Sequence, residues 1–375
     1  MKRSLQKFIL KDLDEKIVII SGPRQCGKTT LSKNLDLRYQ YLNYDLVEHR
    51  LLLKDKSWDR EKDLIILDEL HKMTKWKSWV KGIYDVEGVR PRILVTGSAK
   101  LAAFKKVGDS LAGRHFHYRL HPIDIKEACQ KLNISCDEAF QRLMSVGGFP
   151  EPFLKGNTAF YQRWKRTHID LILKEDVREL SKVQDIKSIE TMIELMRSRV
   201  GSPLSIRSLA LDLEKDPKTI KRWIELLENL YVVFKITPYH KNIARSQLKG
   251  AKYYFYDVAL VKDEPARLEN LVACSLLKEI QYKQDTEGAD LDLKFLRKKG
   301  GVEIDFLVTR GGLPHIALEV KSSDPNLSKS FKQFLARDNS VKKIQLTLNI
   351  KQAKSYPTGE RVVPLKDYLA GLSIN

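Results

Sequence analysis

The segment Gly22-Pro23-Arg24-Gln25-Cys26-Gly27-Lys28-Thr29 limits what this chain can fold into more than any other. It satisfies G-x-x-x-x-G-K-[S/T]. It also stands between the β-branched run Ile17-Val18-Ile19-Ile20 and the helix-compatible Lys28-Thr29-Thr30-Leu31-Ser32-Lys33, the strand-to-helix setting the pattern requires. The glycines let backbone N–H groups turn inward around a phosphate, and the following helix adds the positive end of its dipole. Residues Gly22 to Thr30 are therefore expected to hold a nucleotide, ATP, with Lys28 on its β and γ phosphates and the Thr29 hydroxyl on Mg²⁺. Cys26 reads as a small filler of the loop, with oxidation-sensitive nucleotide binding as the alternative.

A second run, Leu64-Ile65-Ile66-Leu67-Asp68-Glu69, is a buried strand ending in two acids. Paired with the loop, it assigns Asp68 to the metal and Glu69 to the attacking water, since both carboxylates belong at the strand's carboxyl end beside the phosphates. The run Arg92 to Ser98 ends in hydroxyls. Thr96 or Ser98 would sense the γ-phosphate or place water, and capping of the next helix explains them equally well. Arg114 is a candidate for stabilising transition-state charge, on its own nucleotide or a neighbour's, against the plain reading of an exposed arginine. With Tyr39 to Tyr44 and His115 to Leu120, these strand-like runs alternate with longer amphipathic stretches, so residues 1–121 read as an α/β domain built on a parallel sheet.

At 375 residues the chain exceeds one ordinary domain of ~150 residues. From Pro122 to about residue 200 strand-like runs give way to helical periodicity, broken by Gly147-Gly148-Phe149-Pro150-Glu151-Pro152, which predicts a helical lid over 122–200. Lysine and arginine total 67 against 48 acids, a net charge of +19 that argues for a polyanionic partner. No apolar run reaches the ~20 residues of a spanning helix, and Phe8-Ile9-Leu10 is cut short by Lys11 and Asp12. Cys26, Cys129, Cys136 and Cys274 form no CxxC pair. The expectation is a cytoplasmic protein with free thiols and no membrane association. His115, His117 and His121 lack a consistent ligand spacing and read as structural.

Within 201–262, Leu204 to Leu213 and Asp216 to Leu227 read as two helices, the second opened by Asp216 as N-cap and Pro217 at the first turn. Leu230 to Ile236 follows as a strand, which predicts a winged helix-turn-helix. Lys218, Lys221 and Arg222 fall where nucleic-acid-reading side chains sit, and Lys241, Arg245, Lys249 and Lys252 follow in a stretch without acids that suits phosphate backbones. A protein-binding winged helix is the competing reading.

In 263–375, Gly301 to Val308 and Ile316 to Lys321 read as two adjacent strands presenting Asp305 and, on one face, Glu319 with Lys321. Two carboxylates can hold a divalent ion against a phosphodiester, and a lysine beside them can stabilise charge. Glu269, on the preceding helix, is placed to add an acid. The arrangement resembles the PD-(D/E)xK nuclease superfamily, although no proline precedes Asp305, and a structural ion pair remains the alternative.

SGPRQCGKTTL, LIILDELHKM followed by Trp76 and Trp79, VTGSAKL, LAGR with HPIDIKEA after it, and GGFPEPFL occur in the order found in AAA+-like ATPases with a C-terminal DUF4143 region. The chain resembles that family over nearly its whole length. The resemblance implies an α/β fold with an AAA+-type P-loop core and a restriction-endonuclease-like C-terminal domain. The resulting expectation is a Mg²⁺-dependent ATPase coupled to a module that acts on nucleic acid, DNA ahead of RNA, with a homo-oligomer or a protein partner left open. The alternative is a nucleotide switch whose nuclease-like domain only holds DNA or a protein.

Overall fold

The computed structural model describes residues 2–97, 111–177, 185–239, 250–297, 302–324, 326–331 and 340–374. The chain divides into two compact units, one of residues 1–122 with Asn229–Tyr231 and one of 123–228 with 232–375.

The first unit is a parallel sheet of β1 (Ile17–Ser21), β2 (Tyr39–Asn43), β3 (Leu64–Asp68), β4 (Arg92–Gly97) and β5 (His115–Arg119), in the order β2-β3-β4-β1-β5. These are the strands the apolar runs predict. Every residue of β1 and of β3 is buried, as a parallel sheet covered by crossover helices demands. On one side Ile19, Leu67 and Val95 pack with Trp58, Trp76, Val80 and Ile83, the last three from the helix Trp76–Glu87. At ~25 cal/mol per Å², burying one such Leu or Ile contributes about 1.5 to 3 kcal/mol. The strand order has a functional result. β4 stands between β1, which feeds the phosphate loop, and β3, which ends in Asp68, so Thr96 on β4 is level with both.

The second unit opens with helices Ile125–Lys131, Cys136–Val146, Pro150–Lys155, Thr158–Leu171 and Ile186–Arg197. Short polar residues start four of them: Asp124, Ser135, Asn157 and Asp185 each accept the backbone N–H three residues on. The glycine pair of GGFPEPF has a steric cause. Gly147 has φ +72°, and a Cβ there would stand 2.2 Å from Asp257 Oδ1. Asp257 is fully enclosed and accepts hydrogen bonds from Tyr161 Oη (2.9 Å) and Ala259 N (3.2 Å).

Helices Ile206–Asp212 and Pro217–Asn229 follow, capped by Ser205 and by Asp216, whose Oδ1 accepts Lys218 N at 2.7 Å. Next come β6 (Val233–Pro238) and β7 (Lys252–Phe255), an antiparallel pair, and the long helix Glu264–Glu287. The remaining strands are β8 (Leu291–Arg297), β9 (Glu303–Arg310), β10 (Leu313–Lys321), β11 (Lys342–Thr347), β12 (Lys354–Ser355) and β13 (Arg361–Pro364). All eight form one mixed sheet, β12-β13-β11-β10-β9-β8-β6-β7. β6 joins it through a parallel pairing with β8, Thr237 opposite Lys294, so the hairpin expected to stand apart as a wing continues the C-terminal sheet.

Candidate functional site

The phosphate loop leaves β1 through Gly22, where a Cβ would lie 2.2 Å from the carbonyl oxygen of Leu120, so only glycine lets the backbone pass. Gln25 (φ +58°) and Gly27 (φ +95°) complete the turn into the helix Lys28–Lys33. Cys26 is buried with its thiol against Leu120 O at 3.5 Å, which fits the filler reading. Lys28 is 6% exposed and donates to two loop carbonyls, Gly22 O (3.0 Å) and Pro23 O (2.7 Å).

Asp68 gathers the hydroxyls at this edge of the sheet. Thr29 donates to its Oδ2 at 2.8 Å, Tyr41 to the same oxygen at 2.6 Å, and Thr96 to Oδ1. Thr96 is thereby committed to Asp68. Tyr41, on β2, escapes sequence reasoning because a half-buried tyrosine in an edge strand carries no motif. Glu69 adopts φ +53° directly after the strand, which turns its side chain out of the β3 alternation. Its carboxyl pKa is raised, first by burial, with the Lys28 charge opposing. His71 Nδ1 stands 3.4 Å from Glu69 Oε2, but burial pushes the imidazole down to about 4, so the contact involves a neutral ring at physiological pH.

Arg114 pairs with Asp85 at 2.6 Å and is one-third exposed. Ser98 lies outside the described residues. His117 Nε2 meets Ser21 Oγ at 2.7 Å and His115 Nδ1 meets Leu111 O at 2.9 Å, both structural roles.

In the second unit β9 and β10 run antiparallel with Phe306 opposite Leu318, which sets Asp305 and Glu319 side by side on one face. Asp305 Oδ2 accepts Val320 N at 2.9 Å. Glu319 is 2% exposed, and neither carboxylate oxygen closes a well-formed hydrogen bond. Its pKa is raised, first by burial and further by Asp305, with Ser328, Lys321 and Ser330 opposing. Lys321 Nζ lies 3.6 Å from Glu319. Glu269, by contrast, is already engaged: Tyr254 Oη donates to Oε1 at 2.7 Å and Lys252 Nζ reaches the same atom at 3.2 Å. Burial raises the Glu269 pKa, and the Asp305 charge adds to it. No group of three or more His, Cys, Asp or Glu among the described residues is placed to hold a metal ion. The pair Asp305 and Glu319 nevertheless fits a divalent cation, because a buried carboxylate without a good hydrogen bond beside a second one calls for positive charge.

The helix Pro217–Asn229 buries Ile220, Trp223, Ile224, Leu226 and Leu227 and leaves Lys218, Lys221 and Arg222 exposed. Of the expected phosphate-gripping residues after it, Lys241, Arg245 and Lys249 lie outside the described residues. Lys252 requires a correction. It is 0% exposed and paired with Glu269 and Glu303, so it cannot reach a phosphate backbone.

Family models match three consecutive stretches: an AAA domain over residues 14–129, a domain of unknown function (DUF8612) over 137–264, and a domain of unknown function (DUF4143) over 266–368. The chain is 25% identical over 368 residues to an uncharacterized protein of Mycobacterium tuberculosis, covering 94% of this chain and 78% of that one. An uncharacterized protein of Methanocaldococcus jannaschii is 22% identical, with 91% and 82% covered, and one of Haemophilus influenzae is 24% identical, with 92% of each covered. A crystal structure of a DNA replication initiation factor overlaps 60% of this chain and 86% of its own at 18% identity and a TM-score of 0.30, too slight a likeness to bear on fold or role. No helix among the described residues is long and apolar enough to cross a membrane. The chain carries an AAA domain followed by a C-terminal DUF4143 region.

Proposed function

We propose that this protein is a Mg²⁺-dependent ATPase that couples nucleotide hydrolysis to a nucleic-acid-binding second unit. The observation that carries the reading is the join between Thr29 and Asp68 at 2.8 Å, with Lys28 held only by the loop's own carbonyls. ATP supplies the phosphoanhydride, and Mg²⁺ supplies charge against the γ-phosphate. Lys28 exchanges the carbonyls of Gly22 and Pro23 for phosphate oxygens, which are better acceptors for an ammonium. Thr29 and Asp68 would hold the metal, and Tyr41 and Thr96 fix the Asp68 rotamer. Glu69, beyond the strand end, accepts the proton of the attacking water, a task suited to a carboxyl whose pKa is raised. Gly22 to Thr30 form the phosphate cradle, and Arg114, level with Ile17 at the far end of β1 and paired with Asp85, would supply transition-state charge only to a neighbouring copy's nucleotide.

In the second unit the two capped helices act as a helix-turn-helix, with the β6–β7 hairpin built into the C-terminal sheet after them. Lys218, Lys221 and Arg222 meet the phosphates of DNA. Asp305, Glu319 and Lys321 make a nuclease-like site, with Asp305 and Glu319 as the residues that would hold Mg²⁺. The engagement of Glu269 by Lys252 and Tyr254 favours a second reading, in which this domain holds DNA or a protein without cutting it. The test is hydrolysis of ATP with Mg²⁺. Glu69→Gln should bind ATP yet turn over ~10²- to 10⁴-fold more slowly, since an amide cannot accept the proton. Full activity in that variant removes Glu69 from the mechanism. DNA cleavage with Mg²⁺ that disappears in Glu319→Ala separates the two readings of the second unit.

A further inference from the structure

Lys252 occupies an unusual position. Its side chain is completely enclosed, and its ammonium touches Glu269 Oε1 at 3.2 Å and Glu303, with the Phe295 ring centroid 5.3 Å away. Glu269 is only 18% exposed. Tyr254 donates to it at 2.7 Å, and Gly201, with φ +81°, approaches so closely that a Cβ there would stand 2.8 Å from Glu269 Oε2. Asp305, two residues from Glu303 on β9, shares a face with Glu319 of β10, and the half-exposed Lys321 stands beside them.

We infer that Lys252 is a built-in cation of this acidic cluster. Its ammonium stands between Glu269 and Glu303, where a second divalent ion would otherwise be needed, and leaves Asp305 and Glu319 as a one-ion site. An ammonium offers three donors and a compact charge, enough to satisfy two carboxylates that a metal would have to share. Lys252 is thus a positioning residue. It sets how many ions the cluster takes and keeps Glu269 out of the metal's shell. The inference rests on the reading of Asp305 and Glu319 as a cation site.

The experiment uses the full chain without nucleotide, with Asp68→Asn in every sample so that the phosphate-loop metal site is silent, and follows Mn²⁺ binding by electron paramagnetic resonance together with Tm. The wild type should take one ion, and Asp305→Asn should lose it. Lys252→Met should melt roughly 10 °C lower without metal, recover most of that loss in millimolar Mn²⁺, and bind a second ion. A Lys252→Met chain that binds no additional ion and gains nothing from Mn²⁺ overturns the inference. Should Lys252→Met fail to fold, the triple variant Lys252→Met/Glu269→Gln/Glu303→Gln removes the cation together with its partners. It should fold and bind a single ion, whereas a triple variant as unstable as the single one also overturns the inference. A wild type that takes no Mn²⁺ while Lys252→Met takes one refutes the Asp305–Glu319 reading and leaves the role of Lys252 standing.

Discussion

Two of the lysines buried among the described residues, Lys28 in the first unit and Lys252 in the second, have neighbours that differ in kind. Lys28 is 6% exposed and donates to the carbonyl oxygens of Gly22 and Pro23. Lys252 is 0% exposed and leans on the carboxylates of Glu269 and Glu303. Withdrawing an ammonium from water costs several kcal/mol, which dipoles offset in part and a carboxylate offsets more fully. Burial disfavours the charge on Lys252, yet Glu269, Asp305 and Glu303 together outweigh it and raise the pKa of the amine. On the proposed function the first lysine is an unfinished site that an arriving polyanion completes. The second is finished by the chain itself. Equal burial of the same side chain serves opposite purposes, and the deciding variable is whether the counter-charge is part of the protein.

The contrast is broken most directly at Lys28. Lys28→Ala should weaken ATP binding by about 100-fold, the loss of a charged contact of ~3 kcal/mol, while lowering Tm less than Lys252→Met does, because its hydrogen bonds go to carbonyls rather than to a carboxylate. Calorimetric titration with ATP and a thermal melt check the two halves. A fall in Tm like that of Lys252→Met would erase the distinction.

Asp257 sharpens it from the acidic side, being buried with only neutral donors, Tyr161 and Ala259. Burial pushes its carboxyl up from 3.8 to about 6, with those hydrogen bonds opposing. The folded state then binds the proton more tightly than the unfolded chain. The resulting stabilisation is complete below pH ~4 and is lost as pH rises through ~6, to a total of about 3 kcal/mol for a shift of roughly two units. Asp257→Asn should remove that slope, read as the difference between wild-type and variant urea midpoints from pH 4 to 7. Parallel curves would mean that Asp257 titrates normally.

The smallest effect concerns charges that are not buried at all. Replacing Lys218, Lys221 and Arg222 with alanine should leave stability within about 0.5 kcal/mol and flatten the salt dependence of DNA binding by roughly 0.9 per lost phosphate contact. Unaltered DNA affinity in the triple variant would turn the helix into a protein-binding surface.

Much of this was legible beforehand. Three strands of the first unit announce themselves as β-branched runs and β2 and β5 as aromatic-rich ones, the phosphate loop by its glycines, and helix starts such as Asp216 by their caps. Asp305 and Glu319 were legible as a pair because β9 and β10 each carry a period-two pattern. Lys252 was not. It follows the basic residues Lys241, Arg245 and Lys249, and from sequence it reads as one more surface cation. Its partners lie on a helix and a strand later in the chain, and no local period encodes a long-range ion pair. Tyr41 and Asp257 were missed for the same reason: each is defined by what packs against it.

The parallel pairing of β6 with β8 also governs where this gene can be divided. A fragment beginning at Asp263 would retain β8 to β13 but shed β6 and β7, leaving the backbone of β8 unpaired along one side. An uncovered strand of that kind recruits other strands, so such a fragment should precipitate or assemble edge to edge. A fragment beginning at Ile123 keeps the hairpin, Lys252 and Glu269 together with the helices that pack on them, and is the shorter piece that can be expected to behave as a soluble protein.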